Sequence, residues 1–222
     1  MAHYENADES LCPAGNEVPF RERNMNLDLA KFVAPIAAEI VKRCEEFDPS
    51  NNDGPGKVGD PIQQITLGFQ FDQAAWVALV FDTRPSDEAE FDGTWQLHIE
   101  ENVLDCDCDI DDWLDAYESL FDDDIHTAVT VTAIDGTSQV IEPYVDTDDD
   151  GEAEELITNT LAGSIGEALR AALLQARDEG AFQSLPLASR CVLRIDEHSS
   201  GAYCWPNPET RGTNADEGRL NT

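Results

Sequence analysis

Positive charge is what this sequence most lacks. Thirteen lysines and arginines stand against 47 aspartates and glutamates, and the net charge is −34. Lysine occurs only at Lys31, Lys42 and Lys57. Nucleic acids and anionic membrane surfaces are polyanions and would be repelled, so neither is expected as a partner. No run of about eighteen uninterrupted apolar residues is present, which leaves no candidate membrane-spanning helix. The opening MAHYENADES has neither the basic start nor the apolar stretch of a signal peptide. Without one, the six cysteines are read as free thiols in a reducing compartment, and the expected location is the cytoplasm. Catalytic motifs are also scarce. There is no G-x-S-x-G and no phosphate-binding glycine loop. His98 and Glu100 form an H-x-E, but no P-C-x-x-C follows.

What is present is acid, unevenly spread. Residues 1–60 hold 12 acidic and 6 basic residues, and residues 161–222 hold 8 and 6. Residues 61–160 hold 27 acidic residues and a single basic one, Arg84. The middle segment therefore carries −26 of the −34. General adaptation to salt would spread acid over the whole surface. The concentration argues instead for a localised acidic face.

Periodicity gives an outline of the fold. Apolar residues from Leu27 to Phe47 recur at helical spacing, with Asn26 as an N-cap and Pro35 either kinking the helix or sitting in a first turn that begins near Ala34. Residues 62–71 alternate, with Ile65, Leu67, Phe69 and Phe71 on one face and Thr66, Gly68 and Gln70 on the other. A strand at 74–81 completes a hairpin, and 94–100 alternates again. Ile110 to Phe121 reads as an amphipathic helix capped by Asp109 or Asp111. A second hairpin turns at Asp135-Gly136. A long helix spans about Glu152 to Glu179, with Gly180 after its end and with Gly163 and Gly166 either weakening it or admitting a close neighbour. The last strand is expected at 190–198. The expectation is an α+β domain over 25–205: an antiparallel sheet of about five to six strands under two or three helices, between a flexible arm (1–24) and a disordered tail (206–222).

Two acidic runs carry the candidate sites. DCDCDIDDW (105–113) interleaves Cys106 and Cys108 with five aspartates. A lone C-x-C is a weak zinc signal, even with His98, His126, Cys191, His198 or Cys204 to complete a site. Carboxylates at a helix start already have a role, since they satisfy free N–H groups and complement the helix dipole. DTDDDGEAEELI (146–157) is closer to a calcium loop: Asp146, Asp148 and Asp150 precede a glycine at the sixth position. Ile157 stands at the twelfth position, where a bidentate glutamate belongs, so a complete EF-hand does not fit. A water-rich calcium site using those three aspartates, with Glu154 or Glu155, remains as a reading. Trp76, Trp95 and Trp113 lie on apolar stripes and read as core. Trp205 lies outside any such pattern and reads as an exposed contact residue.

The functional expectation is a non-enzymatic binding protein. Asp107, Asp111, Asp112, Asp115, Asp122, Asp123 and Asp124, with Trp205, would engage a basic protein partner. In charge and class, though in no residue motif, the chain is similar to bacterial immunity proteins that neutralise basic toxins. Two other readings stay open: a weak calcium-binding protein, and a hydrolase-type enzyme without a recognisable motif.

If the two acidic runs share a surface, close carboxylate pairs each cost roughly 1 kcal/mol even in water. Screening should then raise the melting temperature clearly as sodium chloride is added. At matched ionic strength, calcium chloride should add only a little more, through mass action at Asp146, Asp148 and Asp150. A melting temperature insensitive to both salts would refute a shared acidic face.

Overall fold

A computed structural model describes residues 25–50, 59–84, 93–99, 109–121, 127–145, 151–206 and 220. It is an α+β structure with three helices and two mixed sheets. In chain order the elements are β1 (Met25–Asp28), α1 (Ala30–Glu45), β2 (Ile62–Gln70), β3 (Trp76–Asp82), β4 (Trp95–Ile99), α2 (Asp111–Phe121), β5 (Val129–Thr132), β6 (Ser138–Ile141), α3 (Gly151–Asp178), β7 (Leu187–Glu197) and β8 (Cys204–Trp205). The sequence suggested one antiparallel sheet, but the strands divide into a five-stranded sheet, β4-β3-β2-β7-β8, and a three-stranded one, β1-β5-β6. Each contains one parallel pair, β2 with β7 and β1 with β5. Parallel partners come from distant parts of the chain, so local turn signals do not reveal them.

The first helix is shorter at its start than its apolar pattern implies. Asn26 is not its cap but lies in β1, where it pairs with Thr130. Leu27 and Leu29 are buried at a spacing of two, which the helical pattern had absorbed. The helix begins at Ala30 and runs on through Pro35. It buries Phe32, Ile36, Ala37, Ile40 and Cys44. The buried carboxylate of Glu39 is held by Arg43 Nε at 2.7 Å and Lys42 Nζ at 3.4 Å.

The five-stranded sheet is covered on both faces at its centre. Ile65, Leu67 and Phe69 belong to the hydrophobic core, together with Val77, Leu79, Phe81, Leu193 and Ile195 beside them. Thr66 and Gly68, on the other face of β2, are buried as well, as are their β3 partners Val80 and Ala78. Trp95 and Trp113 are core residues as expected, whereas Trp76 is only half-buried.

The other elements follow their local signals. The β5–β6 turn closes with Gly136 N donating to Ala133 O and with Gly136 at φ +82°, which an L side chain rarely adopts. Asp135 accepts from Thr137 N at 2.9 Å and Oγ1 at 2.6 Å, which holds its carboxyl below the usual range. At the end of α3, Ala181 N donates to Ala176 O and Gly180 N to Arg177 O, the paired bonds of a glycine-terminated helix.

α3 buries its last two-thirds through small side chains. Ala162, Gly166, Ala168, Ala172 and Ala176 alternate with Leu161, Ile165, Leu169 and Leu173. The helix packs on α1 and on β7. At Gly166 the Tyr203 ring occupies the space a Cβ would need, so this glycine does admit a close neighbour. Nothing crowds Gly163. Of the expected terminal arm and tail, only Pro206 and Leu220 lie within the described residues, and Leu220 N donates to Cys191 O at 3.2 Å.

The two glycines should respond oppositely. Gly166→Ala forces the helix off Tyr203 and should cost about 1–3 kcal/mol. Gly163→Ala removes a helix-interior glycine from open space and should gain roughly 0.5–1 kcal/mol. Urea denaturation should rank Gly163→Ala above wild type and Gly166→Ala below it; equal midpoints would contradict this packing.

Candidate functional site

The sequence-derived acidic face is only partly described. Asp107, Asp122, Asp123 and Asp124 lie outside the described residues, as do Asp146, Asp148 and Asp150 of the calcium reading. Asp111, Asp112 and Asp115 lie on α2, whose buried side is Trp113, Ala116 and Leu120. Asp111 and Asp115 are exposed. Asp112 serves the helix itself. It accepts from Asp109 N at 3.3 Å, while Asp109 Oδ1 accepts from Asp111 N at 3.2 Å. This reciprocal pair caps the helix start, so Asp109 is the cap.

Trp205 is a correction. It is not an exposed contact residue but 3% exposed, opposite Ile195 on the core side of the sheet. The Arg170 guanidinium lies over its ring at 5.2 Å from the centroid. A strand of two residues has no period to read, so the sequence could not show which way Trp205 faces.

The three described thiols are poorly placed for thiolate chemistry. Burial pushes Cys44 and Cys191 up to about 12, far from the thiolate form. Burial also raises Cys204, with the charge of Asp196 adding to it. Cys106, Cys108 and His126 of the zinc reading lie outside the described residues. Among the described residues, no three of His, Cys, Asp and Glu gather closely enough to hold a metal ion.

The surface feature that stands out is the free end of α3. Residues 151–156 are all exposed. Two depressions flank this end. One is an open, largely apolar groove of about 450 Å³ between α3 and the β6 segment, lined by Val140, Ile141, Tyr144, Val145, Leu156 and Ile157 among others. The other, of about 330 Å³, is polar and acidic, lined by Asp72, Tyr117, Glu154, Glu155, Asn159 and Ser200 among others. At about 100° per residue, Leu156 and Thr160 face one side of the helix, and Glu154 and Thr158 face the opposite side.

An aromatic chain links the two depressions underneath. Ring centroids run from Phe71 to Tyr117 at 5.8 Å, to Phe121 at 4.5 Å and to Tyr144 at 5.7 Å. Tyr144 N also donates to Leu120 O at 2.8 Å, which ties the groove wall to α2. Burial raises the Tyr117 phenol, with the charges of Asp72 and Glu154 adding to it, against a hydrogen bond with Thr158. The acidic pocket is therefore electronegative, a setting for a cationic group rather than an anionic one.

Sequence reasoning named Glu154 and Glu155 but missed the groove. One signal was available. Leu156 stands about half a turn away from the buried stripe of Leu161, Ile165, Ala168 and Ala172, which makes it an apolar residue on the wrong face of an amphipathic helix. Comparison with protein-family models, curated proteins and solved structures found no match to the chain.

A rise from 9.0 to about 12 cuts the thiolate fraction of Cys44 and Cys191 near neutral pH about a thousandfold, as the three-unit difference requires. With Cys12, Cys106, Cys108 and Cys204 changed to serine, a thiol reagent at pH 8 should modify the native protein at least a hundredfold more slowly than the urea-unfolded chain. Equal rates would show that these thiols are accessible.

Proposed function

We propose that this is a binding protein that engages a basic protein partner through the groove and acidic rim at the free end of α3, in the manner of an inhibitor or immunity protein. The main support is where apolar surface is left uncovered. Four large hydrophobic side chains are exposed among the described residues, Ile134, Val140, Val145 and Leu156, and three of them line this one groove. Isolated exposed hydrophobics are ordinary, whereas a gathered patch rimmed by polar groups is the pattern of an interaction site.

The charge around the patch favours a basic occupant. Glu142 lines the groove. Glu152 stands one turn before Leu156 on the same face of α3. Glu154 and Glu155 line the acidic pocket behind. An apolar centre would supply affinity, while the acidic rim would raise the association rate and reject anionic competitors.

A native pull-down at low and moderate salt tests this reading. Wild type should retain a basic protein. Val140→Ser with Leu156→Ser should lose it by at least tenfold, and Glu142→Gln with Glu152→Gln should weaken it mainly at low salt. The Asp122/Asp123/Asp124→Asn variant probes the segment after α2 separately. If no recovered protein distinguishes the groove variants from wild type, the groove is not the binding surface.

A further inference from the structure

We propose that β6 receives an extended segment of the partner, alternating basic and apolar residues, as an additional strand of the three-stranded sheet. The proposal rests on the binding surface inferred above and specifies its mode. Among the described residues β6 is an edge strand of that sheet, and Ser138, Gln139 and Val140 are all exposed.

The direction of its backbone follows from the turn. Ala133 N donates to Thr137 O at 2.8 Å, so residues 133 and 137 form a hydrogen-bonded pair. Antiparallel ladders alternate hydrogen-bonded with non-hydrogen-bonded pairs. In the observed register, Thr132 lies opposite Ser138, Val131 opposite Gln139, and Thr130 opposite Val140. Gln139 therefore bonds to β5, while the N–H and C=O of Ser138 and Val140 point outward. Two other bonds agree with this phase. Leu29 N takes the outward-facing Thr132 O at 2.9 Å, and the Thr132 and Ser138 hydroxyls meet at 3.0 Å, as side chains of a non-hydrogen-bonded pair can. Tyr144, the next residue of this phase, already gives its N–H to Leu120 O at 2.8 Å, so an added ladder would end at Glu142.

Strand addition uses main-chain bonds for affinity and alternate side chains for specificity. The groove beside β6 offers Val140, Ile141, Leu156 and Ile157 to the apolar residues of such a segment, and Glu142 and Glu152 to its basic ones. Charge selects among occupants. A second copy brings −34 against −34. The chain's own ends are acidic as well: residues 1–24 hold 5 acidic and 2 basic residues, and residues 207–222 hold 3 and 2. A basic partner is the complementary occupant.

The test uses a labelled nine-residue peptide of alternating lysine and valine, blocked at both ends, and fluorescence anisotropy with the full chain. Two further peptides carry N-methyl groups on every valine or on every lysine, so that each blocks one edge of the strand. Wild type should bind the unmodified peptide. One methylated form should lose at least tenfold in affinity, and the other should stay within about threefold. On the protein, Val140→Pro should lose at least tenfold while the urea midpoint stays close to wild type, because proline there removes an outward donor and no bond to β5. Indifference to both methylations and to Val140→Pro overturns strand addition yet leaves the surface reading intact. Loss with both methylated forms but none with Val140→Pro also overturns it, in favour of another bound shape. If the unmodified peptide fails to bind, or binds the Val140→Ser/Leu156→Ser variant equally well, the surface reading falls too. Sedimentation showing a wild-type dimer that Val140→Pro dissolves would make a second copy the occupant and overturn the proposal.

Discussion

The close seating of α3 is the constraint on which the other elements depend. A long helix can approach α1 and β7 only where its side chains are small, and Ala162, Gly166, Ala168, Ala172 and Ala176 supply that face. Gly166 lets the Tyr203 ring lie directly on the helix backbone, and the Tyr203 hydroxyl then donates to Glu167 at 2.7 Å. Tyr203 immediately precedes β8, so the same contact fixes the two-residue strand that turns Trp205 inward under Arg170. With its later turns held this way, the helix can extend its first turns beyond the core, where among the described residues α2, the β6 segment, Asp72 and Ser200 flank them. The groove and the acidic pocket both follow from that extension.

Six of the scarce cations, Lys42, Arg43, Arg84, Arg170, Arg177 and Arg194, are drawn into local pairs. Arg84 reaches back to Asp82, which is 1% exposed, with Nη2 at 2.7 Å from Oδ2. Lys42 and Arg43 hold Glu39, Arg194 holds Asp196, and Arg170 pairs with Glu167 at 2.9 Å. Arg43–Glu39 and Arg84–Asp82 compensate carboxylates that burial would otherwise make costly. Around the end of α3, by contrast, Glu142, Glu152, Glu154 and Glu155 have no cation close by in sequence: Arg84 precedes them by 58 residues to Glu142, and Arg170 follows Glu155 by 15. The asymmetry of charge read along the chain thus includes the residues that line the groove and the acidic pocket.

How much of this could be read beforehand depended on the range of the interaction. The β5–β6 hairpin, the Gly180 stop and the Asp109 cap were legible because each is set within a few residues. β1 was misread because Leu27 and Leu29 owe their burial to a parallel partner about a hundred residues away. The burial of Thr66 and Gly68 on the second face of β2 was not legible, because nothing within the strand shows that this face is covered as well. Of the site, the acid at Glu154 and Glu155 was visible. The groove was not, since it needs β6 and α3 to be placed together, although Leu156 on the wrong face of its helix marked one wall.

An exposed edge strand carrying Val140 is ordinarily a hazard, because it offers unpaired main-chain groups to any strand that arrives. Proteins usually blunt such an edge with lysine or proline within it, or cover it. Here the strand itself, Ser138 to Ile141, holds neither. The net charge of −34 supplies a different guard against self-pairing. A second copy approaching edge to edge carries the same excess of acid, and the repulsion acts before the backbone groups come within bonding distance. That protection discriminates by sign. It weakens for a neutral strand and becomes attraction for a basic one. On the reading proposed here, the acid that keeps the edge from pairing with its own kind is therefore also what would admit the partner, and no separate device for specificity is required.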